Sequence, residues 1–92
     1  MKIFQSGSLA RKVKKLRPDE KKKLDLVIRK VIGNPEIGTE KKGDLKGVFI
    51  YKFKLQNLEY LLAYRLIKNE TLELIMLGPH ENYYRKLKGH MK

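Results

Sequence analysis

His80 and Tyr84 stand four residues apart near the C-terminus, and their types suit chemistry on a phosphodiester. A histidine gains or loses a proton near neutral pH, and an aromatic ring stacks on a nucleobase. Lys52, Lys54 and Arg65 supply cations that stabilise the charge of a pentavalent phosphorane. These five side chains suit a site that cleaves a phosphodiester, in which a histidine moves protons and cations stabilise the developing charge. The alternative is that His80 caps or packs under a helix and that the lysines only keep a sheet face soluble.

Apolar residues at helical spacing predict two helices before these candidates. Leu9, Val13 and Leu16 form one stripe, in a helix that we expect to begin at Ser8. Pro18 suits the first turn of a second helix, which Gly33 and Asn34 end. Because the connection is short, we expect a helix hairpin. The core-facing stripe of the second helix is Leu24, Val27, Ile28, Val31 and Ile32.

The hydrophobic period changes to two after a loop over residues 34–47. Three strands joined by short turns are predicted, which form an antiparallel meander. A short strand is expected at residues 2–6, and a basic C-terminal helix at 81–88. The fold class is therefore α+β. The meander strands are expected at residues 48–55, 60–67 and 71–77, with turns at Gln56-Asn57 and Lys68-Asn69-Glu70.

The first meander strand has two unlike faces. Its aromatic face offers the larger apolar area, so we expect that face to cover the helix hairpin. The opposite face becomes cationic at Lys52 and Lys54, and we expect it to be a solvated, shallow cationic surface. Arg65, on the next strand, is placed on the lysine side. The aromatic face carries Phe49, Tyr51, Phe53 and Leu55, and the other face begins with Val48 and Ile50.

Composition limits the classes of protein and partner. The chain has 92 residues and no cysteine, which predicts a single domain over residues 1–92 and excludes thiolate chemistry. His80 and His90 are too isolated to build a metal site. No apolar run spans a membrane, and the N-terminus turns polar too soon for a signal peptide, so the cytoplasm is the expected compartment.

The charge of +12 points to polyanionic partners. Most of the excess lies in residues 1–23 and 83–92, where basic side chains are expected to contact RNA phosphates. The residues expected to do so are Arg11, Lys12, Lys15, Lys22, Arg85 and Lys88.

Four segments in this order resemble toxins of the RelE/ParE superfamily, which belong to type II toxin–antitoxin operons. The segments are Leu45–Gly47, Tyr51–Leu55, Glu59–Arg65 and Leu77–Tyr84. The resemblance covers essentially the whole chain. It implies a twisted antiparallel sheet with the helix hairpin on one side and a cleft on the other.

For RelE-type members the resemblance implies a ribosome-dependent mRNA endonuclease, in which the 2′-hydroxyl attacks the neighbouring phosphate without metal or cofactor. Lys52 and Lys54 match the lysine pair of that site. Leu61 stands where RelE-type members have an arginine, and Arg65 is the candidate to replace it. His80 and Tyr84 match a YafQ-like pattern, in which an aromatic ring follows a histidine by four residues.

Two other functions stay open on the sequence. ParE-type members share the fold and poison DNA gyrase, and the missing arginine favours them. A plain RNA-binding module without toxicity is the third reading. Both toxin readings imply an acidic antitoxin that covers the cationic cleft. They also imply a toxin–antitoxin heterotetramer that binds operator DNA through the antitoxin.

Overall fold

The computed structural model describes residues 2–90 and the side chains of residues 2–89. The described residues form three α-helices and a five-stranded sheet, which confirms the α+β class. A short 3₁₀ turn at Gly43–Leu45 separates the second strand from the third. The elements are β1 (Lys2–Gln5), α1 (Gly7–Lys14), α2 (Pro18–Gly33), β2 (Thr39–Glu40), β3 (Phe49–Leu55), β4 (Leu58–Ile67), β5 (Thr71–Pro79) and α3 (Tyr83–His90).

The sheet has the strand order β1-β5-β4-β3-β2. The pairs β2–β3, β3–β4 and β4–β5 are antiparallel, and β1 pairs parallel with β5. The predicted meander is confirmed as β3, β4 and β5, but β2 lies within residues 34–47, where only a loop was expected. Its two residues, Thr39 and Glu40, pair with Ile50 and Phe49. Such a short strand is set by its partner and leaves no periodicity of its own.

Both helices begin near their predicted positions, and a local hydrogen bond stabilises the N-terminus of each. The Ser6 Oγ accepts from the Leu9 backbone N–H at 3.1 Å, which caps α1, and donates to the Ile75 carbonyl at 2.5 Å. Helix α2 begins at Pro18, and the Arg17 N–H donates to the Glu20 carboxylate at 2.9 Å. One serine therefore fixes both the start of α1 and its attachment to the sheet.

One face of the sheet, the helix-hairpin face, packs against α1 and α2. The aromatic side of β3 lies here, as predicted, with α1 over β5 and α2 over β3. Tyr64 is fully buried in this core, where its hydroxyl donates to the Pro35 carbonyl at 2.8 Å and accepts from the Gly38 N–H at 2.9 Å. The buried residues of the two helices are Leu9, Leu24, Val27 and Val31, and Leu16, predicted in the first helix, is buried in the turn between them.

The other face, the α3 face, carries a second core. The expectation of a solvated surface here is wrong over much of its area, because α3 folds back onto it. Asn82 makes this possible, since its left-handed backbone (φ 57°) reverses the chain between His80 and α3. The end of this face that holds Lys52 and Lys54 stays exposed, and at the opposite end the Arg65 side chain is 42% exposed. The second core consists of Leu45, Val48, Ile50, Leu61, Ala63, Ile75, Met76, Tyr83 and Leu87.

Candidate active site

The exposed end of the α3 face brings three polar residues into one row across the sheet. Lys54 on β3 lies directly opposite Glu59 on β4, and the His80 N–H donates to the Glu59 carbonyl at 3.1 Å. Two strand spacings separate the backbones of Lys54 and His80, which is about 10 Å. A phosphodiester bound between them would be within reach of both side chains.

Lys52 lies in the next row, opposite Leu61, which in turn lies opposite Gly78. Side chains two residues apart on a strand share a face, so Lys52 and Lys54 point to the same side. Both are exposed. Among the described residues the ion pairs are Arg17–Glu20, Arg29–Asp25 and Arg65–Glu73, so neither lysine is neutralised by a carboxylate. The two ammonium groups remain available to an anion.

The ring of Tyr84 lies edge-on to the imidazole of His80, with 6.3 Å between their centroids and 88° between their planes. Helix α3 begins at Tyr83 and not at residue 81 as predicted, so the turn through Asn82 brings the two rings together. The contact places His80 on the α3 face, beside the row that contains Lys54.

Tyr83 anchors the start of α3 beneath this contact. Its side chain is buried, and its hydroxyl donates to the Met76 carbonyl at 2.6 Å. Burial raises the pKa of the Tyr83 hydroxyl well above its ordinary value, and the neighbouring Tyr84 adds to the increase. Tyr83 therefore stays protonated at physiological pH, and the hydrogen bond that holds α3 against β5 persists.

Arg65 lies on the same sheet face as the lysines, as predicted, but at the other end. It lies six positions along β4 from Glu59, which is about 20 Å along the strand. It is opposite Glu73 on β5, and its guanidinium Nε donates to that carboxylate. The structure therefore does not bring Arg65 together with His80. Leu61, which the resemblance places at the position of an arginine, is fully buried in the second core.

Glu59 is the residue that the sequence analysis missed. A two-residue turn at Gln56-Asn57 fixes the register of β3 and β4, so Leu58 pairs with Leu55 and Glu59 with Lys54. The turn was predicted, and counting outward from it places a carboxylate on the lysine face beside His80. The signal was present in the sequence, in the length of the turn.

The basic residues expected to bind RNA divide into two groups. Arg11, Lys12 and Lys15 line a groove between α1 and α3 whose wall includes Pro79, next to His80. The Nζ of Lys12 also lies 6.0 Å from the centre of the Tyr60 ring. Lys86 lines the same groove, although it was not among the predicted residues. The other predicted residues, Lys22, Arg85 and Lys88, are exposed and do not line it.

No cluster of three metal-ligating side chains occurs in the described part of the chain. The His90 side chain, considered together with His80, lies outside the described residues. Among the helices that the structure describes, none is both long and apolar enough to cross a bilayer.

The sequence matches the family model described as the ParE-like toxin of type II bacterial toxin–antitoxin systems, over residues 3–88. The chain belongs to this family and is a toxin of a type II toxin–antitoxin system. No curated protein sequence matches the chain significantly.

Solved structures that share its fold include the toxin RelE of Escherichia coli. A RelE variant in which two arginines are replaced by alanine, solved in the free state, gives a TM-score of 0.71 at 18% identity, over 98% of this chain and 92% of that one. The intact RelBE toxin–antitoxin complex gives 0.69 at 21% identity, over 87% and 96%. The same RelE mutant bound to a RelB peptide gives 0.67 at 20% identity, over 92% of each chain. The chain therefore has the RelE fold.

Proposed function

We propose that this toxin is a ribosome-dependent mRNA endonuclease. The observation that carries the proposal is the grouping of Lys52, Lys54, His80 and Tyr84 at the exposed end of one sheet face. The α3 face offers cations without ion-pair partners, an imidazole and an aromatic ring, within the space of a few nucleotides.

The reaction needs two proton transfers and no added water or metal. The 2′-oxygen attacks the adjacent phosphorus, and the bond to the 5′-oxygen of the next nucleotide breaks. The products are a 2′,3′-cyclic phosphate and a 5′-hydroxyl. One group takes the 2′-hydroxyl proton and another gives a proton to the leaving oxygen. His80 serves one transfer, and Glu59, in the same row, is the candidate for the other.

The remaining residues of the site bind and orient the RNA in this proposal. Lys52 and Lys54 stabilise the charge that builds on the phosphorane, which is greatest in the transition state. Tyr84 stacks on a nucleobase beside the scissile phosphate. Arg65 has no role at this point, because its charge is paired with Glu73 at the other end of β4. Basic side chains on α1 and α3 would contact ribosomal RNA through its phosphates.

An acidic antitoxin is the proposed protein partner. RelE has been solved both in the RelBE toxin–antitoxin complex and with a RelB peptide, and this chain shares its fold. The net charge of +12 favours an acidic polypeptide that folds as it binds. The toxin and antitoxin are proposed to form a heterotetramer that binds operator DNA through the antitoxin. The proposed site of action is the cytoplasm.

Gyrase poisoning is the second candidate function. Leu61 favours it, since a buried leucine replaces an arginine of RelE-type members. The family model that matches the chain also carries the ParE-like description. A gyrase poison needs no proton transfer, so it would not depend on His80.

Cleavage of mRNA on purified ribosomes tests the proposal. We expect the unmodified toxin to cut mRNA in the ribosome and His80→Ala to lower the rate by about 100-fold or more. Lys68→Ala, an exposed lysine in the β4–β5 turn, is the control and should cut normally. Intact mRNA with the unmodified toxin would refute the proposal. DNA breaks on induction that persist in His80→Ala would establish gyrase poisoning instead.

A further inference from the structure

Lys41 is an unusually buried lysine next to the candidate site. It follows β2 directly, and its backbone N–H donates to the Val48 carbonyl at 2.8 Å. This bond continues the β2–β3 ladder by one residue and places Lys41 on the α3 face. Among the lysines of residues 2–88, Lys41 and Lys12 are half-buried and the others are exposed.

The ammonium group of Lys41 lies over the ring of Tyr84, with its Nζ 4.9 Å from the ring centre. A cation at this distance is attracted by the negative face of the aromatic ring. The same ring meets Tyr83 edge-on, with 5.8 Å between centroids, and His80 at 6.3 Å. The ring of Tyr84 therefore contacts the buried Tyr83, the Lys41 ammonium group and the candidate catalytic residue His80.

We propose that Lys41 is a positioning residue that fixes the ring of Tyr84 for the nucleobase. This inference rests on the proposed mRNA cleavage and adds to that site a residue from a different part of the chain. A ring that is already oriented in the docked complex spares the entropy of ordering it on the way to the transition state, so it acts on the rate at saturation. Lys41 acts through Tyr84, and it does not touch the reacting phosphate.

The kinetic test compares Lys41→Ala with Lys41→Arg and with Lys42→Ala, a change at the neighbouring exposed lysine. Cleavage of ribosome-bound mRNA is measured over a range of toxin concentrations. We expect Lys41→Ala to lower the saturated rate by roughly threefold to tenfold, with the half-saturating concentration no different from that of Lys42→Ala. Lys41→Arg should restore the rate, since a guanidinium also stacks on an aromatic ring. A saturated rate unchanged in Lys41→Ala would overturn the inference.

A double-mutant cycle with Tyr84→Leu shows whether Lys41 acts through the ring. We expect Lys41→Ala to add no further loss once Tyr84 is gone, whereas additive losses would contradict the inference. Ring-current shifts of the Lys41 side-chain protons, which should disappear in Tyr84→Leu, test the contact without reference to cleavage. If the unmodified toxin cuts no mRNA, the proposed function fails. If it cuts and Lys41→Ala cuts equally well, the inference alone fails.

Discussion

The two faces of the sheet share three long strands but are covered to different extents. On the helix-hairpin face, α1 and α2 bury the aromatic side of β3. On the α3 face, one short helix covers the middle and leaves Lys52, Lys54 and His80 exposed at one end. A small domain buries a smaller fraction of its surface than a large one, so leaving this end uncovered lowers its stability.

The difference shows where stability and where function reside. Each face has a buried tyrosine whose hydroxyl donates a hydrogen bond to a backbone carbonyl. These are Tyr64 on the helix-hairpin face and Tyr83 on the α3 face. On the α3 face, Lys52 and Lys54 at the open end are exposed and have no carboxylate partner among the described ion pairs, whereas Arg65 at the other end is paired with Glu73. We therefore expect changes on the helix-hairpin face to alter unfolding, and changes at the open end to alter activity.

The largest expected effect is on catalysis, from removing both lysines of the open end. The double change Lys52→Ala and Lys54→Ala should lower the rate of mRNA cleavage by about 100-fold or more, because the transition-state charge loses its cations. The melting temperature should hardly change, since both side chains are exposed. Arg65→Ala on the same face is the matched control, with a cleavage rate within roughly threefold of normal. An equal loss in Arg65→Ala would show that the far end belongs to the site.

A smaller effect, on stability, is expected from Gly38→Ala on the helix-hairpin face. A Cβ at Gly38 would lie 2.7 Å from the Tyr64 hydroxyl and 2.9 Å from the Ile50 carbonyl, so backbone must move. Urea unfolding should show a loss of about 2 kcal/mol.

Gly33→Ala is the control for this change, because nothing lies within 4 Å of its added methyl group. Its free energy of unfolding should stay the same or rise slightly, through better helix propensity. Equal losses in the two variants would contradict the close packing around Tyr64.

The smallest expected effect comes from Tyr83→Phe on the α3 face. Loss of the hydrogen bond to the Met76 carbonyl should lower the free energy of unfolding by about 1 kcal/mol near neutral pH.

The pH dependence of this variant gives a sharper readout. Because the pKa of Tyr83 is raised in the folded protein, the unfolded chain loses this proton first as the pH rises above about 10. The Tyr83 contribution is constant below that pH and is lost above it, so stability falls with increasing pH. In Tyr83→Phe the alkaline decrease should be less steep. Identical alkaline slopes in chemical denaturation would show that the hydroxyl is not held in the fold.

Much of the fold could be predicted from the sequence, because the helices and long strands have strong periodicity. The assignment of the β3 faces was correct for the same reason. The position of α3 was not predictable, since it depends on one left-handed residue, Asn82. Periodicity reports that a segment is helical, but not the surface against which it packs.

The candidate site was predictable in its residue types and only partly in its grouping. Arg65 was placed on the correct face, but its pairing with Glu73 follows from a register shift between β4 and β5 near Ala63 and Tyr64. Without that shift, Leu74 would lie opposite Arg65. A bulge inside a strand carries no clear sequence signal here, whereas the two-residue turn that places Glu59 did.

The parallel pairing of β1 with β5 has a consequence for synthesis of the toxin. Gln5 pairs with Leu74, so β1 can join the sheet only after residue 74 has been synthesised. Contacts so distant along the chain form late in folding. A nascent chain that stops before residue 71 lacks the strand between β1 and β4, and it also lacks His80 and Tyr84. The ribosome that makes this toxin therefore releases nothing with a complete sheet until translation has passed the last strand.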